Sequence, residues 1–347
     1  MFLHRTALTA LLTTTALLVS TAAEAAPRPI PALDREVVFT VEGTRTYGTL
    51  HVPAHRRGQR LPAALLLPGS GPTDRDGNQP PAITPHTLSR LAAALDRQGV
   101  VTLRFDKYGS GRTGLGAYEG RPEDIDHPAF VRQAAAAYGL LRAEPVTDPR
   151  ALFIAGHSEG ALTGLLLADE VRPRPAGLVL LQPQAIRLLD LIALQLHAQL
   201  AAAAEGGQIT PEQRQVNDEG VDRATSALRA NEPLDPTGLL PAIVQFFQAL
   251  FDGPGRRFVL SNDQVDPPTA AGRLRAGTRV LLTCGTNDVQ VPCATTEALA
   301  EALRRAGTTG PGRTVLTGVD HNLRDTDPNA LAPAVVDALR AFTDGLR

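Results

Sequence analysis

The 347-residue sequence has little net charge, few cysteines and almost no long apolar runs. Lysine and arginine number 34 and aspartate and glutamate 36, so the formal net charge is −2. This balance argues against a nucleic acid or another polyanion as partner, because such ligands bind basic surfaces. Hydrophobic residues make up 43% of the chain, which suffices for a sizeable core. The length suits one large α/β domain or two small ones.

The only long apolar run lies at the N-terminus, at residues 7–19, and four threonines interrupt it. It is too short to span a bilayer, and the small residues Ala23 and Ala25 suit a cleavage site. We therefore predict a secretory signal peptide over residues 1–26, removed near Ala25 or Ala26. No later stretch is long and apolar enough to cross a membrane, so we expect an exported, soluble mature protein.

Cysteine occurs twice, at Cys284 and Cys293. An exported chain meets an oxidising compartment, so we expect the two to form a disulfide, and two free buried thiols are the alternative. A loop of this size would contribute about 2–3 kcal/mol. Two cysteines without a neighbouring histidine pair argue against a zinc site, and we predict no metal.

Apolar runs alternate with helical patterns along most of the chain. Such alternation predicts a mostly parallel sheet with helices on both faces. We predict strands at 36–41, 47–52, 62–67, 100–106, 151–155, 176–182, 279–285 and 313–316, and helices at 84–98, 126–143, 186–204, 211–230, 237–251, 295–306 and 330–346.

This alternation stops between residues 183 and 275, where the pattern is helical throughout. A helical insertion between two strands is typical of a cap over the functional face of the sheet, and a separate helical domain is the alternative. We therefore divide the chain into a signal peptide (1–26), a core (34–183), a helical cap (184–277) and the rest of the core (278–347).

The central motif is Gly156-His157-Ser158-Glu159-Gly160, between a buried strand and a helix. This G-x-S-x-G pattern, called the elbow below, predicts a tight turn with the serine at its tip, in a strained backbone conformation. The two glycines would be needed because a side chain at either position would collide with the crossing strand or helix. An ordinary turn with an idle serine is the alternative.

A serine nucleophile needs a base, and the base needs a carboxylate to orient it. Asp288 and His321 each follow a predicted strand, and the carboxyl ends of parallel strands lie at one edge of the sheet. We therefore expect both to converge on Ser158. Asp320 would point away from its neighbour and bond within its loop, and His157 would pack against adjacent strands rather than act as the base.

In these motifs the chain resembles the serine hydrolases of the α/β-hydrolase fold, with the order serine, acid, histidine. The resemblance runs from about residue 37 to the C-terminus, apart from the helical insertion. The loops at 69–77 and 104–111 and the stretch 320–322 are similar to those of secreted and bacterial esterases. The fold implied is a mostly parallel central sheet flanked by helices, with a helical cap.

The resemblance also implies roles for individual residues. Ser158 would attack the acyl carbon, His321 would act as base and then acid, and Asp288 would fix the imidazole tautomer. The oxyanion hole would consist of the backbone N–H of Glu159 and one from Ser70 or Gly71, a choice that the sequence leaves open.

The activity implied is hydrolysis of carboxylic esters of small acyl substrates through an acyl-enzyme intermediate, without metal or organic cofactor. A peptidase or thioesterase with the same residues is the alternative, followed by a non-catalytic binding protein on this scaffold. A phosphate site at 109–111 lacks the lysine and the spacing of a P-loop.

Charged residues flank the predicted site. We expect Asp106 and Arg104 to tie loops together beneath it, and residues 74–76 either to shape substrate entry or to be solvated loop charges. A set of apolar residues in the insertion would form either a substrate pocket or the insertion's own core: Leu188, Leu191, Leu194, Phe246, Phe247 and Leu250.

Overall fold

The computed structural model of the protein describes residues 29–346. The predicted signal peptide, residues 1–26, lies outside the described residues. Within the described part of the chain, no helix is both long enough and apolar enough to cross a bilayer.

A single eight-stranded sheet forms the centre, in the order β1-β2-β4-β3-β5-β6-β7-β8. The first two strands form an antiparallel hairpin, and the second is also antiparallel to the fourth. All other neighbours are parallel, which confirms the predicted fold class. The strands are β1 (Leu33–Val41), β2 (Thr44–Val52), β3 (Leu61–Leu67), β4 (Val101–Phe105), β5 (Thr147–His157), β6 (Gly177–Leu181), β7 (Arg279–Gly285) and β8 (Thr309–Leu316).

Helices cover both faces of the sheet, which is why the central strands are continuous apolar runs. Every residue of β6 is buried, as is every residue of β3 except Pro62. The helices are α1 (Thr87–Asp96), α2 (His127–Ala143), α3 (Glu159–Glu170), α4 (Leu188–Glu205), α5 (Pro211–Ala230), α6 (Pro241–Asp252), α7 (Arg256–Asp263), α8 (Pro267–Ala271), α9 (Glu297–Arg305) and α10 (Pro333–Asp344).

The core has two layers, one on each side of the sheet. Helices α1 and α10 pack on one face, around the buried side chains of Leu91 and Phe342. Helices α2, α3, α8 and α9 pack on the other, around Leu165 and Leu303. This arrangement leaves the carboxyl edge of the sheet free for the loops that carry the candidate site.

Five helices, α4 to α8, separate β6 from β7. Helices α4 to α7 have a core of their own, around Leu189, Val221 and Phe247, in addition to the two layers on the sheet. Helices α7 and α8 were not predicted, because the first has a polar sequence and the second is only five residues long.

Several helices begin later than predicted. Helices α6 and α10 start at Pro241 and Pro333. Proline suits the first helical position because the N–H of that residue would have no partner within the helix. Helix α1 starts after His86, whose backbone is left-handed. These differences shift helix ends without changing the order of elements.

Cys284, near the end of β7, forms a disulfide with Cys293, as predicted. The bridge closes the loop that follows β7 and contains Asp288. Closing a loop of this size restricts the unfolded chain and contributes about 2–3 kcal/mol.

Candidate active site

Ser158 occupies a turn one residue long, between the end of β5 and the start of α3. Its backbone angles are φ 55° and ψ −122°, a region that a residue with a side chain adopts only under strain. Two hydrogen bonds to the segment around β6 hold it there. The Ser158 amide donates to the Leu181 carbonyl at 2.9 Å, and the Gln184 amide donates to the Ser158 carbonyl at 3.1 Å.

The glycines on either side of Ser158 are required by close backbone contact. A Cβ on Gly156 would lie 2.2 Å from the Gly160 carbonyl oxygen, and one on Gly160 would lie 2.3 Å from the Leu67 carbonyl oxygen. No rotation of a side chain relieves such contacts, because the obstructing atoms belong to the backbone. The collision expected from the sequence is therefore present at both positions.

The structure brings Ser158, His321 and Asp288 together. The serine Oγ lies 3.2 Å from His321 Nε2, and His321 Nδ1 lies 2.8 Å from Asp288 Oδ2. None of the three is more than 9% exposed. They follow β5, β8 and β7, three parallel strands that end at the same edge of the sheet.

The hydrogen bonds define the protonation of the imidazole. The Asp288 Oδ1 atom accepts from the amides of Gln290 and Val291, at 3.0 and 2.8 Å, so Oδ2 is directed at the ring. A carboxylate only accepts, and His321 Nδ1 therefore carries the proton. The lone pair of Nε2 is left facing the Ser158 hydroxyl, as a general base requires.

His157 has a role that its sequence pattern does not predict. It was expected to pack against strands, but its Nε2 donates a hydrogen bond to the His321 carbonyl at 2.7 Å. Burial, and then the nearby His321 ring, lower the pKa of His157 to about 4. The side chain is thus a neutral donor that holds the loop of His321. Its only signal in the sequence is its place beside the serine.

The three expected oxyanion donors line the same cavity as Ser158: Glu159, Ser70 and Gly71. Within residues 29–346, none of their backbone N–H groups donates to a protein acceptor. The loop after β3 approaches Ser158 closely, since a Cβ on Gly69 would lie 3.2 Å from the serine Cβ. The elbow and this loop therefore present free donors side by side.

The charged loop residues brace this region. Arg75 pairs with the buried Asp106 at 2.7 Å, and Arg104 donates to Asp76 at 3.0 Å. The predicted tie between loops is thus present, and the charges at 75 and 76 belong to it. Asp320 accepts from Arg324 within its own loop, as expected.

A cavity of about 900 Å³ opens above Ser158. Polar residues on one side include Gln79, Gln290 and Arg324. Within residues 29–346, no group of three or more histidine, cysteine, aspartate or glutamate side chains could hold a metal ion. An apolar part of the wall comes from α4, α6 and α7, through Leu188, Leu191, Ile192, Phe246, Leu250, Phe258 and Val259.

Both interpretations of the insertion's apolar residues hold, for different residues. Phe247 is fully buried in the core of the insertion, whereas its neighbour Phe246 is 38% exposed and lines the cavity. Leu188 and Leu250 line the cavity and also pack against the core of the insertion.

The model of the alpha/beta hydrolase family matches residues 64–334. An esterase from Pyrococcus furiosus has a similar fold, with 15% identity, coverage of 84% of each chain and a TM-score of 0.53. A dienelactone hydrolase from Anabaena variabilis is 14% identical, with 91% of this chain and 99% of that one covered and a TM-score of 0.52. Est1E from Butyrivibrio proteoclasticus is 15% identical, with 90% of this chain and 97% of that one covered and a TM-score of 0.52. No curated protein sequence matches this chain.

The crowding at the elbow predicts opposite effects of two glycine substitutions. Gly160→Ala should lower the free energy of unfolding by more than about 3 kcal/mol, because neither backbone can yield. Gly139→Ala, within α2, is the matched control, since nothing lies within 4 Å of a Cβ there. It should stabilise the protein by about 0.5–1 kcal/mol. Urea unfolding measures both, and equal shifts would contradict the steric argument.

The pKa of His157 predicts a pH dependence of stability. The folded protein keeps this ring neutral down to about pH 4, whereas the unfolded chain binds a proton below its ordinary value of 6.5. Stability is therefore lost as the pH falls from 6.5 to 4, by at most about 1.4 kcal/mol per pH unit. His157→Gln, which retains a donor, should remove this loss, as measured by urea unfolding between pH 7 and 4.5.

His197→Gln serves as the control for this experiment. Burial alone lowers the pKa of His197, but its hydrogen bonds to Asp218 and Asp222 outweigh that effect and raise it. Its contribution is present below pH 6.5 and is lost as the pH rises through the raised value. The two variants should therefore change the pH slope with opposite signs, His157→Gln below pH 6.5 and His197→Gln above it, so the urea series is extended to about pH 8.5. A shared sign would contradict the assignment.

Proposed function

The chain belongs to the alpha/beta hydrolase family, and from that premise we propose that it is a serine hydrolase that cleaves carboxylic esters. The observation that carries the proposal is the hydrogen-bonded series from Ser158 through His321 to Asp288, beneath a cavity with an apolar wall. The esterases among the proteins of similar fold are consistent with it.

In the proposed mechanism, His321 Nε2 takes the proton of the Ser158 hydroxyl as its oxygen attacks the acyl carbon. The imidazolium that forms is stabilised by Asp288. The carbonyl oxygen becomes an oxyanion, which backbone N–H groups bind more strongly than the neutral ester. Collapse of this intermediate breaks the bond to the alcohol, which leaves with the proton from His321.

The second half of the reaction repeats these steps with water. His321 Nε2 takes a proton from water, whose oxygen attacks the acyl group bound to Ser158. The second oxyanion collapses, the ester bond to the serine breaks, and the serine oxygen recovers the proton from His321. The free acid leaves, and the starting state is restored.

The cavity suggests the kind of ester. The helical insertion contributes most of its large apolar side chains, and the core contributes most of its polar residues. We propose that an apolar acyl or alcohol group packs under α4 and α6, with the scissile bond at Ser158. A volume of about 900 Å³ accommodates a small molecule rather than a folded protein.

Ser158→Ala should abolish the hydrolysis of p-nitrophenyl esters, because no other group can form the acyl intermediate. We expect kcat to fall at least about 1,000-fold. A fluorophosphonate probe should label the wild type and fail to label the variant. Ser226→Ala is the matched control, since this serine is exposed on α5, away from the cavity.

The substrates in this assay also separate the alternatives. Turnover of the p-nitroanilide with little turnover of the ester would favour a peptidase, and preference for a thioester would favour a thioesterase. A wild type that neither reacts with the probe nor cleaves any of these substrates would contradict the hydrolase proposal and leave a binding role.

We also propose that the protein is exported, which the signal-peptide pattern at 1–26 and the disulfide both support. The exported protein should begin near residue 26 or 27 and take up no alkyl groups under denaturing, non-reducing conditions. After reduction it should take up two, one at Cys284 and one at Cys293. Exported protein that retains residues 1–26 would contradict the assignment.

A further inference from the structure

Lys107 is the only lysine of the sequence, and it is buried in the loop after β4. Its ammonium donates to the Gly69 carbonyl at 2.7 Å and to Glu159 Oε1 at 3.2 Å. The face of the Phe130 ring lies on a third side, 5.0 Å from Nζ to the ring centroid. One cation thus joins the loop after β3 to the first residue of α3.

The contact with Gly69 determines the direction of the next N–H group. The Gly69–Ser70 peptide bond is trans, since the cis bonds in residues 29–346 both precede prolines. In a trans peptide the C=O and the N–H point in opposite directions. Because the Gly69 carbonyl points at Lys107, the Ser70 N–H points away from it.

The two residues that accept from the Lys107 ammonium line the cavity, but Lys107 itself does not. Gly69, Ser70 and Glu159 line that cavity, whereas Lys107 is not among its lining residues within the described chain. The ammonium therefore lies behind the wall that carries both backbone donors.

We propose that Lys107 is a positioning residue that fixes the N–H groups of Ser70 and Glu159 as the two donors of the oxyanion hole. The inference rests on the proposed hydrolase function and goes beyond it in choosing Ser70 over Gly71. Lys107 acts on the Ser70 N–H through the Gly69 carbonyl, which belongs to the same peptide. It acts on the Glu159 N–H through the Glu159 side chain.

A cation at this position also strengthens the donor. The ammonium that donates to the Gly69 carbonyl oxygen draws electron density through the peptide and leaves the Ser70 N–H more polar. The effect is largest in a buried site, where water does not screen the charge. Because the group is fixed before substrate binds, little reorganisation accompanies the formation of the oxyanion.

Gly71 has weaker support. The Ser70 carbonyl, which shares a peptide with the Gly71 N–H, accepts from the Thr73 hydroxyl at 2.8 Å and from the Gln79 amide at 2.6 Å. Both of these donors are neutral, whereas the Gly69 carbonyl accepts from the buried ammonium of Lys107. Only the Gly69–Ser70 peptide is held by a buried charge.

The decisive variant is Lys107→Met with Glu159→Gln, which removes both charges at nearly constant volume. Changing both residues avoids an isolated buried charge, which a single change at Lys107 would leave. We expect kcat for an ester to fall roughly tenfold to a hundredfold, because a misdirected N–H group loses part of the stabilisation that a correctly directed one gives to the oxyanion. KM should stay within about twofold, because the oxyanion exists only after attack. Binding of a trifluoromethyl ketone, which forms an oxyanion adduct with Ser158, should weaken by the same factor as kcat.

Gln133→Met is the matched control, because it removes another buried polar side chain near Lys107. Gln133 donates to Thr46 and to the Asp106 carbonyl, and it forms no hydrogen bond with Gly69 or Glu159. It should lower stability and leave both kcat and the affinity for the ketone within about twofold of the wild type, because neither oxyanion donor is disturbed. A change in kcat in the double variant that this control reproduces would overturn the proposal.

A spectroscopic measurement decides the matter if the double variant fails to fold. Wild-type protein grown with lysine labelled with ¹⁵N at Nζ contains one labelled ammonium, that of Lys107. Its resonance should shift when the ketone adduct forms, because the oxyanion polarises the peptide that Lys107 holds. An unchanged resonance in the adduct would overturn the proposal.

The outcomes separate this inference from the proposed function. If the wild type neither reacts with a fluorophosphonate nor cleaves esters, the hydrolase proposal fails first. If the wild type is active and Thr73→Val weakens ketone binding while the double variant does not, Gly71 is the donor. That result would overturn the role of Lys107 and leave the hydrolase proposal intact.

Discussion

The close approach of two backbones around Ser158 is the constraint on which the site depends. The serine has a strained backbone, and the glycines at 156 and 160 allow the strand and the helix to meet there. Strain of this kind costs about 1–3 kcal/mol and persists only if its surroundings are rigid. A fully buried β6, which bonds to Ser158 through Leu181, supplies that rigidity. The core of the sheet is thus a condition for the site as well as for stability.

Asp288 and His321, which complete the hydrogen-bonded series with Ser158, are each held by interactions of their own. Asp288 lies in a loop closed by the disulfide, and two backbone amides bind its Oδ1. His321 is held through its own carbonyl by His157, a neighbour of the serine. The position of the His321 imidazole therefore depends on Asp288, which binds the ring, and on His157 beside Ser158, which binds the His321 carbonyl.

The sequence predicted the features that depend on local patterns. Apolar runs located the sheet, and the glycines of the elbow followed from steric requirements at a single turn. Asp288 and His321 were predicted because parallel strands end at one edge. The hydrogen bond of His157 and the pair of Lys107 with Glu159 were not, because they join residues 164 and 52 positions apart. Contacts of that kind depend on packing, which no local pattern records.

The same reasoning explains why substrate preference was beyond prediction. Phe246 and Phe247 are adjacent in α6, yet one lines the cavity and the other fills the core of the insertion. Hydrophobic periodicity marks an apolar face without revealing whether protein or ligand covers it. Because α4 to α7 have a core of their own, the cavity wall can change without disturbing the sheet. In the proposed hydrolase, the insertion would therefore determine which substrate is accepted, and the elbow and its loops would determine the chemistry.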